Sequence, residues 1–567
     1  VASSRGHAEA TGRTAGLSPA PLAPPLEPDP MPAQRPLWLG GLLTVAVACL
    51  LSPLASSAPL PQLSARNGRL VDDQGHEVLL RGTSCDFNFQ APHMTDAEIG
   101  VLAGLGWNFV RLGFHWHLYE VAPGQFNSTY FALVEDLVRR LGEGGMYVLM
   151  DMHQDNWSPL YCGGHGIPAF YGMPLDGRDF WRGGAQAYPW PLATPTYDSN
   201  ALCVESPTNS SGRYCAVSDC SNVSATPLGW ASTYATAAVG SAAQRLYNNA
   251  GGAQDAFAEF WVRTVQQLAS LPFVVGYGVV NEPWLGDIWE DPTLLLPGQS
   301  DKRNLQPLYK RIASAVRTVD AATPVWFEPA TGGNILDALP AGFTERPDAN
   351  SVLGYHIYCP SLQSDLPHPG SRNDTKLWEQ FELCVAMNGA QFDVRDADAD
   401  RLQVPGVLTE FGSVNQLPQT EALLQWTADE MDRRLRGWAY WLLHPSTDPA
   451  HPNWEAPILG RPFPHSVPGK IDRFNWNETL RTLSLDFQAR AWTSEAQTKL
   501  RGATEAVDVA AIFAPTSKFG GTPQWSWTPL DALSNPVHNA TTGMLTLELS
   551  PDVETGTNVS IALSAHA

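Results

Sequence analysis

Charge is scarce in this 567-residue chain, at 16% of residues, and positive charge most of all. Lys and Arg number 35 against 57 Asp and Glu, a formal net charge of −22. Coiled coils and charged disordered chains carry more charge than this, so the composition argues against both. The same balance argues against a nucleic-acid-binding role, because such affinity rests on cationic neutralisation of phosphates. Cysteines are few, eight in all, and no two have the Cys-x-x-Cys spacing of a zinc site. No Gly-x-Ser-x-Gly elbow follows a strand-like run, which sets aside the serine hydrolases built on that turn. The apolar run Leu37–Leu51 falls short of the roughly 20 residues of a membrane span.

Gly (48) and Pro (47) are plentiful, about one residue in six, and favour long structured loops. Aromatic residues are abundant, with 20 Trp, 15 Tyr and 21 Phe, a supply that suits sugar stacking as well as core filling. The length accommodates one barrel of about 250 residues or more, with insertions, and a small partner domain. A chain of this size needs neither metal nor disulfide merely to fold.

Residues 1–30 carry no periodicity and read as a disordered or spurious extension. Residues 31–58 read as a secretory signal peptide: Arg35, the apolar run Leu37–Leu51, then small residues to Ala58. The alternative is an uncleaved signal anchor. A secreted or lumenal protein is therefore expected. Sequons starting at Asn127, Asn209, Asn222, Asn373, Asn477, Asn539 and Asn558 agree with that compartment. So do the cysteines: Cys162, Cys203, Cys215 and Cys220 share one loop-rich stretch and suffice for two bridges. Cys359 with Cys384 would close a third, leaving Cys85 as a buried thiol.

Short apolar runs recur at Val78–Cys85, Trp107–Phe114, Tyr147–His153, Val274–Glu282, Val325–Pro329, Val352–Tyr358, Val407–Phe411 and Trp438–Leu443. Helical patterns lie between most of them, as at Tyr130–Leu141, Ala253–Leu271, Leu305–Val319 and Ala422–Leu435. Runs apolar on both faces suit parallel strands joined by crossover helices. The spacing predicts a (β/α)8 TIM barrel over residues 60–482, with a doubly wound open sheet as the alternative. An insertion at about 156–230, rich in cysteine and aromatics, should wall the barrel mouth. Alternating segments from 483 to 567 predict a small C-terminal antiparallel β-sandwich.

Functional residues of such a barrel collect at the C-terminal tips of its strands. The fourth run closes on Val-Val-Asn281-Glu282-Pro-Trp and the seventh on Val-Leu-Thr-Glu410-Phe-Gly. A carboxylate ending an apolar run is costly to bury unless partnered or used. Strands four and seven face each other across the mouth, so Glu282 and Glu410 can meet despite a separation of 128 positions. Two opposed carboxyls, one protonated and one bare, are what glycosidic cleavage requires. Arg111, in the Asn-Phe-Val-Arg-Leu stretch of the second run, is placed to keep one of them ionised. His153, Gln154 and Asp155 end the third, His356 and Tyr358 the sixth, and Trp441 the eighth. No metal cluster is read: Asp151, His153 and Asp155 alternate along one strand and no further His joins them.

Arg111, His153, Asn281-Glu282, His356-x-Tyr358, Glu410 and Trp441 resemble, in order, the active-site set of glycoside hydrolase family 5. Asp151-Met-His-Gln-Asp155, Trp230-Ala-Ser-Thr-Tyr, Ala238-Val-Gly-Ser-Ala-Ala-Gln, Gln254-Asp-Ala-Phe and Gly276-Tyr-Gly-Val-Val-Asn-Glu-Pro-Trp narrow the resemblance to endoglycoceramidases and related glycosylceramidases. It covers roughly residues 65–490 and, more loosely, the C-terminal region. It implies that Glu282 is the acid/base and Glu410 the nucleophile, and that Asp155, Asn281, Tyr358 and Trp441 contact the sugar. It also implies a substrate with sugar on one side and ceramide on the other, a glycosphingolipid. Transient contact with a membrane or micelle surface, a monomer and no cofactor are expected. One departure is at the first strand, where such enzymes often place a sugar-binding Lys and Asn88 stands instead. Alternatives are an exo-acting β-glucosidase on glucosylceramide or a steryl glucoside, and a β-glucanase. From another class there is a catalytically inactive glycolipid-binding protein, against which the presence of both Glu282 and Glu410 argues.

Overall fold

The computed structural model describes residues 60–86, 92–174, 233–331, 338–363, 374–492 and 507–565, and short strands between 196 and 219. The expected signal peptide, Asn88 and most of the insertion lie outside the described residues. Eight parallel strands close a barrel: β1 (Arg81–Cys85), β2 (Phe109–Phe114), β3 (Tyr147–Met152), β4 (Val274–Gly278), β5 (Val325–Phe327), β6 (Ser351–His356), β7 (Gly406–Glu410) and β8 (Gly437–Tyr440). Each lies within or over one of the eight apolar runs. All but the last residue of β6 are buried, as strands covered by helices outside and side chains inside must be.

Crossover helices supply the outer layer. They include α1 (Asp96–Gly104), α2 (Ser128–Glu143), α3 (Ala237–Tyr247), α4 (Ala253–Leu268), α5 (Gln306–Val316), α6 (Asp374–Leu402) and α7 (Pro418–Arg434). In α2, Asn127 caps the first turn by accepting from the Tyr130 N–H, and Tyr130, Phe131, Val134, Leu137, Val138 and Leu141 form the buried stripe. Among the described residues no helix is long and apolar enough to cross a membrane.

Strand alternation sorts the barrel interior into two levels. Phe109, Leu149, Trp326, Val352, Val407 and Ala439 fill the closed end as one apolar cluster. Two residues further along the same faces stand Arg111, Asp151 and Glu328, and four along β6 stands His356. The polar mouth is thus the continuation of the apolar plug.

The β-rich region begins at Phe463, twenty residues before the expected boundary at 483, and it recruits the N-terminal strands. One sheet runs Leu63–Arg66, Arg69–Asp72, Glu77–Val78, Phe463–Val467, Asp508–Phe513, Met544–Leu549, Leu533–Asn539. The second runs Gly469–Asn477, Thr482–Ala489, Asn558–Ser564, Gln524–Thr528. Phe474, Leu485, Ile512, Leu547 and Ile561 are buried in their shared core. The first hairpin turns at Asn67-Gly68, both with positive φ (46° and 79°), the two-residue turn whose twist matches its strands.

Glu77 is buried at this join, accepting from the Ile471 N–H at 3.0 Å with Arg69 at 3.3 Å. Burial pushes its carboxyl up to about 7, against the pull of Arg69. A native carboxyl that holds its proton more tightly than the unfolded chain stabilises the fold at low pH. That contribution is complete below the ordinary value of 4.5 and is lost as pH rises through 7. It amounts to at most about 3 kcal/mol. Thermal unfolding of the wild type should therefore lose more stability between pH 4.5 and 8 than that of Glu77→Gln. Equal slopes would contradict the assignment.

Candidate active site

The two glutamates of the sequence reading meet at the mouth, by different backbone routes. Glu282 lies beyond the end of β4 in the left-handed region, with φ of 42°. A non-glycine residue there is strained by about 1–3 kcal/mol, and its surroundings hold it: the Glu282 N–H donates to Glu328 Oε2 at 3.0 Å. The Gln154 amide donates to the carbonyls of both Asn281 and Glu282 at 2.8 Å. Glu410 depends on a register shift. Tyr355 pairs with Leu408, but His356 pairs with Glu410, so β7 carries one extra residue against β6. Regular alternation from Val407 would turn Glu410 outward; the bulge sets it beside His356.

Arg111 is fully buried and serves as the central cation. Its guanidinium donates to Glu410 Oε1 and, at 2.6 Å, to Asn281 Oδ1. Asp151 Oδ2 lies at 3.1 Å and Glu328 Oε1 at 3.4 Å. Burial opposes its charge, but Asp151, Glu410 and Glu328 outweigh that and hold the proton more firmly than usual. The Tyr358 hydroxyl donates to Glu410 Oε2 at 2.7 Å, so both oxygens of Glu410 accept from donors. Burial pushes the Glu410 carboxyl up against the pull of His356 and Arg111, and the charge of Glu282 adds to the rise.

His356 bridges the pair. Its Nδ1 is 2.8 Å from Glu282 Oε1 and 3.3 Å from Glu410 Oε2, and its Nε2 is 3.3 Å from Glu328 Oε1. Burial disfavours the imidazolium, yet the carboxylates around it raise its pKa well above the ordinary value. Oxygens of Glu282 and Glu410 lie within 4.8 Å of each other. An approach of one oxygen from each to this distance accords with retaining carboxyl pairs, about 5–5.5 Å apart, and is closer than the about 6.5–9.5 Å of inverting pairs.

One wall is built on His153. Its ring stacks on Trp441, centroids 5.1 Å apart and planes at 12°, and its Nδ1 is 2.8 Å from Asp151 Oδ2. Burial works against a charged His153, but Asp86, Asp151 and Asp155 prevail and raise its pKa well above normal. Asp155 is pushed up to about 7 by burial, with His153 pulling down and the charge of Glu282 pushing further up.

A site of this composition at the C-terminal rim of a closed parallel barrel is matched by a known family. The model described as cellulase (glycosyl hydrolase family 5) matches residues 71–188 and 231–447, more than half of the chain. The chain belongs to glycosyl hydrolase family 5. An endoglycoceramidase of Cyanea nozakii is 31% identical over 392 residues, covering 66% of this chain and 67% of its own length. An endoglycoceramidase of Hydra vulgaris is 29% identical over 389 residues, 65% of each chain. The chain thus spans about two thirds of the length of these relatives. The structure of endo-glycoceramidase II from Rhodococcus sp. in its ganglioside GM3 complex aligns with a TM-score of 0.63 and 21% identity. It covers 88% of this chain and all of that one, and shows a shared fold.

All nine residues singled out in the sequence, Arg111, His153, Asp155, Asn281, Glu282, His356, Tyr358, Glu410 and Trp441, stand at this family 5 mouth. Three participants were missed. Glu328 ends the β5 run in Val-Trp-Phe-Glu-Pro, the same signal that marked Glu282 and Glu410. Asp86 and His165 are joined to His153 only by the fold; the expectation that no further histidine approaches it is corrected here. His165 Nε2 lies 3.4 Å from Asp155 Oδ2, and His115 lies 5.0 Å from the His165 ring. The reason is topological: His115 stands just past β2, and His165 returns on a loop paired to Asp155 through an isolated bridge.

Although burial opposes its charge, Glu328 is held down at about 2 by His356, Arg111 and the Glu282 N–H. Replacing it by Gln puts an amide N–H₂ among donors and frees the strained Glu282 backbone. Hydrolysis of an aryl β-glycoside by Glu328→Gln should fall on the order of 10²-fold in kcat with little change in KM. The pH profile should shift as well, since His356 loses a neighbouring charge. A normal profile would show that Glu328 merely supports the fold.

Proposed function

We propose that the protein is a retaining endo-glycosidase that cleaves the β-glycosidic bond between oligosaccharide and ceramide in glycosphingolipids. Glu410 is the nucleophile and Glu282 the acid/base. The single observation that carries the double displacement is the approach of their oxygens to within 4.8 Å. The donors distinguish the roles. Glu410 accepts on both oxygens, from Arg111 and from Tyr358, and is the group solvated as an anion. Burial raises the Tyr358 pKa, so its hydroxyl remains a donor at neutral pH.

In the first step Glu410 attacks the anomeric carbon while Glu282 gives its proton to the departing ceramide oxygen, leaving a glycosyl ester on Glu410. Glu282, now bare, takes a proton from water as that water attacks the same carbon, and Glu410 leaves as the carboxylate. Two inversions restore the β configuration. Asn281, held by Arg111, and Asp155, Tyr358 and Trp441 line the sugar site, with the His153–Trp441 stack as its platform.

The substrate class follows the endoglycoceramidase relatives and the GM3 complex of the structural neighbour. Contact with a membrane or micelle is supported by exposed Trp289, Leu295, Leu296 and Leu339 on the loops after β4 and β5, at the same end of the barrel as the carboxylates. A secreted or lumenal place of action is supported by the Cys359–Cys384 disulfide and by exposed sequon residues Asn539 and Asn558.

The test is incubation with GM3 in detergent micelles, followed by mass analysis of both products and NMR of the first-formed anomer. Intact trisaccharide in the β form with free ceramide is the expected result. Stepwise loss of single sugars would overturn endo action, and a first-formed α product would overturn the retaining mechanism.

A further inference from the structure

Beside the catalytic pair lies a second cluster that takes no part in the proton transfers or the attack on the sugar, although its His153 also belongs to the wall of the sugar site. Asp86 at the tip of β1, His153 just past β3 and His165 on the following loop place one ligand atom each within 4.8 Å of the others, all three residues buried. Among the described residues, Asp86 Oδ2 and His153 Nε2 are buried and make no hydrogen bond. The spacing of the facing atoms suits coordination of one ion between them. His165 Nε2 is 3.8 Å from Asp86 Oδ2 and 3.4 Å from Asp155 Oδ2, and His153 Nε2 is 3.6 Å from Asp155 Oδ2. Ligands on a tetrahedron with bonds of about 2.0–2.1 Å stand about 3.4 Å apart.

The surroundings have the form of an outer coordination shell. Asp151 Oδ2 lies 2.8 Å from His153 Nδ1, which orients the ring and directs Nε2 into the cluster. His115 Nε2 is 2.8 Å from Asp86 Oδ1, which leaves Oδ2 facing inward. The backbone is fitted to this approach. The His165 N–H donates to the Asp155 carbonyl at 2.8 Å. A Cβ on Gly166 would stand 2.2 Å from Gln154 Cβ, and one on Gly113 would stand 2.7 Å from Asp86 Oδ1.

From this geometry we propose that Asp86, His153 and His165 bind a divalent first-row transition ion, Zn(II) being the best match, with Asp155 flanking the remaining position. Two imidazoles and a carboxylate are the donor set such an ion prefers over Mg(II) or Ca(II), which take oxygen. Asp86 and Asp155 bring carboxylates to the two rings, while Asp151 also faces Arg111 at 3.1 Å. The ion ties the tips of β1 and β3 to the loop that leads into the insertion, and through the His153–Trp441 stack it braces one wall of the sugar site. It takes no part in bond cleavage, so the site stands or falls apart from the hydrolytic reading.

The experiment uses the purified full chain, free of any histidine tag. The protein is stripped with chelator, dialysed, reloaded with Zn(II) and passed through a desalting column before elemental analysis; Co(II) replaces Zn(II) in a parallel sample. We expect one equivalent of zinc retained per chain, a rise in melting temperature on reloading, and Co(II) absorption of the intensity given by four- or five-coordinate sites. His165→Asn and Asp86→Asn should each lower zinc affinity at least tenfold while keeping the far-ultraviolet dichroism of the wild type. Substoichiometric retention by the wild type would overturn the proposal. So would retention unchanged in both variants, or six-coordinate Co(II) spectra. Should a variant fail to fold, wild-type stoichiometry and the Co(II) spectrum decide the matter alone.

Discussion

Glu410→Gln should lower kcat/KM on a glycosphingolipid by on the order of 10⁴–10⁶-fold, the scale seen when a covalent nucleophile is removed. The amide is nearly isosteric and still accepts from one of the two donors, Arg111 or Tyr358, so the melting temperature should move little. Steady-state rates with a unfolding scan on the same sample separate lost chemistry from lost structure. The wild-type pH profile carries a second signature. Attack requires the ionised carboxyl, and burial pushes Glu410 up, so the acid limb of kcat/KM should lie above that of an ordinary exposed carboxylate. Tyr358→Phe removes a hydrogen bond to the anion and should move that limb higher still. A limb that moves lower, or residual activity above a hundredth of wild type in Glu410→Gln, would remove Glu410 from the nucleophile's role.

Glu282→Ala should show a loss that depends on the leaving group. Glycosphingolipid, whose ceramide oxygen needs a proton, should be cleaved about 10²–10⁴-fold more slowly. An aryl glycoside with an acidic phenol needs no such help in the first step, so the glycosyl ester should form and then accumulate. A burst of phenol followed by slow turnover is expected. Azide, which needs no general base, should restore turnover and yield a β-glycosyl azide. An α-azide, or an equal loss for all leaving groups, would assign Glu282 another role. The strained backbone at φ 42° agrees with a residue kept for its side chain, because Gly or Asn would occupy that conformation more easily.

The barrel was legible because its strands are buried on both faces, and double burial writes itself into the chain as short unbroken apolar runs. Their polar last residues were legible for the same reason: Glu282 and Glu410 stand out against the hydrophobic stretch that precedes them. Glu328 carries that signal too, in a shorter run. The pairing of Glu77–Val78 with Phe463–Val467 was not legible, since strands nearly 400 positions apart share a sheet through contacts that no local pattern records. The Asn67-Gly68 turn announces its hairpin locally, but not the sheet that the hairpin joins.

By itself the sequence determined the repeating strand–helix order and the identity of the acidic, basic and aromatic groups at the strand tips. These follow from periodicity and from the cost of burying charge, which act within a few residues of chain. Tertiary structure alone decided which carboxyl faces which. The extra residue in β7 turns Glu410 inward, the left-handed turn at Glu282 fixes its approach, and the loop bridge at Asp155 brings His165 to Asp86 and His153. Each depends on register and closure between distant segments, and a one-residue slip would point the same side chain at the opposite face.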